Sequence, residues 1–202
     1  MDRPHSNFLI PATLVILATA LLFAFQPRTQ KSQPPDYAPP IAKANTIQDT
    51  AVSSSDGKLI LSMKEEKGKA NVTYTFSIGE SAGGSQKEIF RKTALAEGVF
   101  SIPRNTFSPD NKYLFLKESD AGKTSYLVLS TAGTWLAKDS AFLEFAGAFE
   151  SKYPDYKITD ATGWGGINLI VFNTDKASGG AGPSFWFEVP SGVFIRLSNR
   201  FN

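Results

Sequence analysis

Phe107-Ser108-Pro109-Asp110-Asn111-Lys112-Tyr113-Leu114-Phe115-Leu116 is the stretch on which the fold turns. Pro109 presets φ, the Asp110 side chain can accept a local backbone N–H, and Asn111 tolerates positive φ, so the first half is turn chemistry. The short aromatic and aliphatic run that follows suits a strand. The same order of features occurs upstream, where Ser54-Ser55-Asp56-Gly57-Lys58 precedes Leu59-Ile60-Leu61, and downstream, where Trp164-Gly165-Gly166 precedes Ile167-Asn168-Leu169-Ile170-Val171-Phe172. Asp110 follows Asp56 by 54 residues, and Gly165 follows Asp110 by 55.

Each turn and strand is followed by a second strand pattern, at 73–78, 125–130 and 184–189, and by a third, at 87–90, 134–136 and 193–197. Gly79, Gly133 and Gly192 punctuate the second connection, as hairpins require. A steady period of this length marks repeated supersecondary units. The predicted fold class is therefore all-β, with antiparallel strand meanders in about three repeats of about 54 residues.

Residues 107–116, with Tyr126-Leu127-Val128-Leu129 after Gly122-Lys123, resemble a blade of the TolB-like or WD40-like β-propeller family. In that family a Ser-Pro-Asp-Gly-Lys turn leads into an inner strand, and the next strand carries an aromatic-rich pattern. The likeness covers about 30 residues of the second repeat; the first keeps the turn without the proline, and the third departs from it. The resemblance implies blade-like meanders. A closed propeller takes about 4–8 blades and this chain supplies about three, so the expectation is a partial propeller, a small β-sandwich, or a blade set completed by another chain.

Between the second and third repeats, Asp139 is placed to cap a helix over 140–152, with Phe142, Phe145, Ala146 and Phe149 at helical spacing and Pro154 at its end. This Phe face either packs on the sheets or is presented to a partner. Phe142, Phe145, Phe149 and Trp164 are the candidate partner-binding residues.

Toward the amino terminus, residues 8–25 are uncharged and apolar apart from two threonines. As a helix rising ~1.5 Å per residue they reach about 27 Å, close to a hydrocarbon core of ~30 Å. They read as an uncleaved transmembrane signal anchor. The competing reading, a cleaved signal peptide, fits less well because Ala18-Thr19-Ala20 falls inside the apolar run. Residues 1–7 are then a cytoplasmic stub, residues 26–45 a proline-rich linker, and residues 46–202 an extracytoplasmic β-rich domain in the cell envelope.

The chemistry available is narrow. The chain has no cysteine, which removes disulfides, thiol nucleophiles and thiolate metal sites. Its one histidine, His5, precedes the span, so the expected exported domain holds none for a catalytic triad or a metal. Asp155 with Asp160, and Glu118 with Asp120, are carboxylates considered as an acid–base pair, but they lie in polar stretches without the apolar frame that raises a carboxyl pKa. No catalytic, cofactor or metal residue is assigned. With 21 Lys and Arg against 19 Asp and Glu spread along the chain, no field is available to hold nucleic acid. The expected function is a non-enzymatic, membrane-tethered interaction or scaffold domain that binds a protein or envelope polymer, with homo-oligomerisation as a route to completing its sheets. The alternative is a carboxylate-dependent envelope hydrolase or its inactive remnant.

Overall fold

The computed structural model describes residues 47–95 and 97–201. The stub, span and linker expected at 1–45 lie outside the described residues. Among those described, no helix is long and apolar enough to cross a membrane.

Three four-stranded antiparallel sheets follow one another along the chain, each a simple meander. The first contains β1 (Ile47–Ser53), β2 (Leu59–Lys67), β3 (Asn71–Glu80) and β4 (Lys87–Leu95). The second contains β5 (Val99–Ser101), β6 (Tyr113–Asp120), β7 (Lys123–Ser130) and β8 (Phe142–Glu144). The one helix among the described residues, α1 (Ala146–Lys152), leads to the third, with β9 (Tyr156–Trp164), β10 (Leu169–Lys176), β11 (Ala181–Glu188) and β12 (Val193–Arg196). The all-β expectation holds, and the sheets do not close into a ring.

The repeated turn is reproduced bond for bond. In the second sheet Ser108 Oγ donates to Asp110 at 2.8 Å and accepts the Tyr113 N–H at 3.0 Å, while Asp110 accepts the Lys112 N–H at 3.2 Å. In the first, Ser54 Oγ donates to Asp56 at 2.7 Å and accepts the Leu59 N–H at 3.0 Å, and Asp56 accepts the Lys58 N–H at 3.1 Å. Asn111 and Gly57 take the positive φ that this geometry needs, at 58° and 70°. The third turn lacks the serine–aspartate pair and closes instead with a Gly165 N–H donated to the Leu169 carbonyl at 2.8 Å.

Two cores lie between the sheets. Leu61, Phe76 and Ile78 of the first sheet pack with Leu114, Leu116, Leu127 and Leu129 of the second. The opposite face of the second sheet, Phe115, Tyr126 and Val128, packs with Ile170, Phe172, Phe185 and Phe187 of the third. The middle sheet is thus buried on both faces, which explains why its two central strands read as apolar runs rather than alternating ones. Side-chain bonds latch the layers: Asn111 Nδ2 to Asp56 at 2.9 Å, Lys92 Nζ to Glu118 at 2.7 Å, and Trp164 Nε1 to the Thr106 carbonyl at 3.1 Å.

Three local expectations are corrected. The helix expected over 140–152 begins only at Ala146, because Phe142–Glu144 pairs with Leu127–Leu129 as the last strand of the second sheet. Glu144, not Asp139, supplies the cap, its carboxylate accepting the Ala146 N–H at 2.7 Å. Residues 134–136 form no strand, and Trp135 is exposed. Gly79 lies inside β3, so the positive-φ glycines of the β3–β4 connection are Gly83 and Gly84.

Candidate binding face and cleft

The register makes the three sheets comparable residue by residue. Leu61 pairs with Ile78; Phe115 pairs with Val128, which pairs in turn with Leu143; and Val171 pairs with Trp186, which pairs in turn with Ile195. The first two rows face the next sheet in the stack and are covered by it. The third row points away from the stack, on the outer face of the third sheet. Ile195 at 41% and Val193 at 44% exposure stand open there.

The rows of opposite parity complete the comparison. Leu114–Leu129 and Leu116–Leu127 in the second sheet, and Ile170–Phe187 and Phe172–Phe185 in the third, receive the preceding sheet. In the first sheet the same positions are Ile60–Gly79 and Ser62–Ser77. This outer face is polar, with Lys64 and Gln86 beside the serines and Gln86 Nε2 donating to Ser62 at 3.2 Å. The outer face of the first sheet thus carries serines and a lysine where that of the third carries the exposed Ile195 beside Trp186.

Part of the unfinished face is covered by the chain's own last described residues. The Phe201 N–H donates to Ser184 Oγ at 2.7 Å, Asn173 Nδ2 donates to the Phe201 carbonyl at 2.9 Å, and Ser184 Oγ donates to Asn173 Oδ1. Arg200 pairs with Asp175 at 2.9 Å. These bonds satisfy the polar half of the face, where Asn173 and Ser184 are buried. They leave Val193 and Ile195 exposed, with Trp186 half-buried and Val171 buried, and Phe201 itself remains half exposed.

Beside this row, where β9 meets the β5–β6 connection and the end of β1, lies a cleft of about 710 Å³. Val171, Trp186 and Phe201 form one wall; Trp164, Phe107 and Arg104 contribute to the others. Among the described residues, Arg104 is the one charged side chain lining it. Glycine shapes the cleft: a Cβ at Gly165 would stand 2.9 Å from Trp186 Nε1, and one at Gly163, whose φ is +141°, would meet Asn105 at 3.1 Å. The Trp186 indole N–H is buried and donates to no described residue.

Of the residues the sequence suggested for partner binding, Phe145 and Phe149 are wholly buried. Phe145 stacks between Tyr126 and Phe187, with ring centroids 5.4 and 4.9 Å away. Phe149 is held edge-on by Phe172, Phe185 and Phe194. Phe142 is half-buried against the first core, 5.5 Å from Phe90, so only Trp164 reaches the cleft. Val171, Trp186, Ile195 and Arg104 carry no local sequence signal as a contact set; the first three stand in the third sheet where Leu61–Ile78 and Phe115–Val128 stand in the first two.

The carboxylates are held elsewhere. Glu118 pairs with Lys92, and Asp160 accepts the Tyr126 hydroxyl at 3.3 Å. Burial, with Asp160 alongside, pushes the Tyr126 hydroxyl up to about 12. Asp56 is held far below the ordinary carboxylate range by hydrogen bonds from Asn111 and Ser54. Burial works to raise Asp110, but bonds from Ser108 and the Lys112 N–H outweigh it and lower it. Among the described residues, no group of three or more Asp, Glu, His or Cys is placed to hold a metal ion. Comparison with protein-family models, curated proteins and solved structures returns no match.

Proposed function

We propose that this chain is a non-enzymatic, membrane-tethered interaction domain of the cell envelope, with a span at 8–25, a proline-rich linker at 26–45, and the outer face of the third sheet as its contact surface. The meanders act as three blades of a partial β-propeller, stacked face to face. The observation that carries the reading is the mismatch between the two ends: Ile60, a glycine and two serines at the receiving positions of the first sheet, a Val–Trp–Ile row at the donating positions of the third. A polar end cap at only one end is what a stack needs when its other end is covered by a partner. The hydrolase alternative has less support, since Asp160 is the sole carboxylate among the described residues lining this cleft and its neighbour, and acid–base hydrolysis of this kind uses two.

A photo-crosslinking amino acid at Ile195 of the full-length chain in intact cells tests it, with Lys64 on the outer face of the first sheet as control. A discrete crosslinked species from position 195 and none from 64 is expected; equal, diffuse products from both would overturn the reading.

A further inference from the structure

Resting on that reading, we propose that the partner is an acidic oligosaccharide, a carboxylate-bearing sugar chain with one ring against Trp186 in the cleft and a carboxylate held by Arg104. Charge is the first support. Arg91 and Arg200 pair with Glu88 and Asp175, and Arg196 lies over the Tyr156 ring. Arg104 is the described arginine without such a partner, and it stands exposed at a cleft whose described lining includes no carboxylate. A planar guanidinium in that setting is suited to two-point binding of a carboxylate. Length is the second support. A smaller hollow of about 360 Å³ shares Arg104, Asn105 and Thr162 with the cleft and adds Lys117. Its one carboxylate, Asp160, already accepts the Tyr126 hydroxyl. Joined hollows with two cations against one engaged carboxylate suit a chain of acidic units better than one compact anion.

The lining chemistry favours sugar over peptide. The N–H edge of Trp186 is buried over Gly165, which leaves the indole ring as the surface offered to the cleft, a flat apolar plate for the apolar face of a sugar ring. Ser53, Ser55 and Asn105 are exposed along the lining, and their side chains bond to no described residue, so they are available to sugar hydroxyls. An extended peptide would instead need the free edge of β9 as a ladder. That edge is taken: the Ala161 N–H donates to the Tyr126 hydroxyl at 3.2 Å, and Asn105 lies 3.1 Å from where a Cβ on Gly163 would stand.

The full-length chain in detergent is titrated with tetragalacturonate and with its methyl ester, which keeps the sugar rings and removes the charge, and tryptophan fluorescence is read. Saturable binding of the acid is expected, with the ester at least tenfold weaker. Arg104→Gln should weaken binding of the acid at least tenfold while leaving thermal unfolding unchanged. Lys64→Gln, the same loss of charge on the outer face of the first sheet, should bind as the wild type does. No saturable binding, equal binding of acid and ester, or an Arg104→Gln chain that binds like the wild type would overturn the inference. If it falls while position 195 still photo-crosslinks to a discrete partner, the interaction reading stands and only the sugar chemistry is lost; if position 195 captures nothing, both fall.

Discussion

Replacing Ser62 and Ser77 together by leucine should convert the outer face of the first sheet into a second adhesive face. These serines occupy the positions of Leu116 and Leu127 in the second sheet and of Phe172 and Phe185 in the third, all four buried at 0–1% exposure. Burying each leucine contributes about 1.5–3 kcal/mol, so a contact between this face and another copy's Val–Trp–Ile row gains about 3–6 kcal/mol, or roughly 10²–10⁴ in affinity. The assay is the mass distribution of the full-length chain in detergent over a wide dilution series, wild type beside the double variant. The variant should stay associated to concentrations at least a hundredfold lower, with species beyond two copies wherever the contacts do not close on themselves. A variant with unchanged strand circular dichroism that dissociates where the wild type does would refute the equivalence of Ser62 and Ser77 with the receiving positions of the inner sheets.

Ser108→Ala removes the acceptor of the Tyr113 N–H at a fully buried serine, and should cost about 1–3 kcal/mol in urea unfolding; Ser54→Ala should cost a similar amount, and a cost confined to one of them would break the repeat equivalence. Asp56 has a folded pKa below its unfolded value, so its contribution is complete above the ordinary carboxylate range and is lost as pH falls through and below that range. The thermal midpoint should therefore fall on acidification below about pH 4, and Asp56→Asn should flatten that fall. For Tyr126 the neutral form is favoured by folding: its stability contribution is complete below about pH 10 and lost as pH rises toward its folded value of about 12. Base-induced unfolding in that window should be delayed in Tyr126→Phe.

Much of the repeat was legible because its determinants are local. Ser54, Asp56, Ser108 and Asp110 make their turns from side chains within five residues, so spacing alone exposes them. The strands that open each sheet were harder to read. β1 is exposed at nearly every position and β5 is three residues long, so neither carries an alternating pattern. The Phe142–Phe149 segment misleads for the opposite reason: its phenylalanines fit a helical period, yet Phe142 is drawn into a ladder with Leu129 that lies outside any local window. The candidate face was hidden because Val171 and Trp186 look like ordinary core strand residues. Only the cross-strand register shows that they lie on the face of the third sheet that no described sheet covers, while Ser62 and Ser77 lie on the outer face of the first.

The most direct test of the central claim is thiol labelling of the full-length chain in intact cells with a membrane-impermeant maleimide, comparing Ile195→Cys with Lys64→Cys. The account predicts that both positions are reached from outside. It also predicts that the thiol at position 195 reacts at least tenfold more slowly in the membrane than in dilute detergent, while the thiol at position 64 reacts at the same rate in both. Equal rates at position 195 in the two settings would mean that nothing covers the third sheet, and would contradict its assignment as the contact surface.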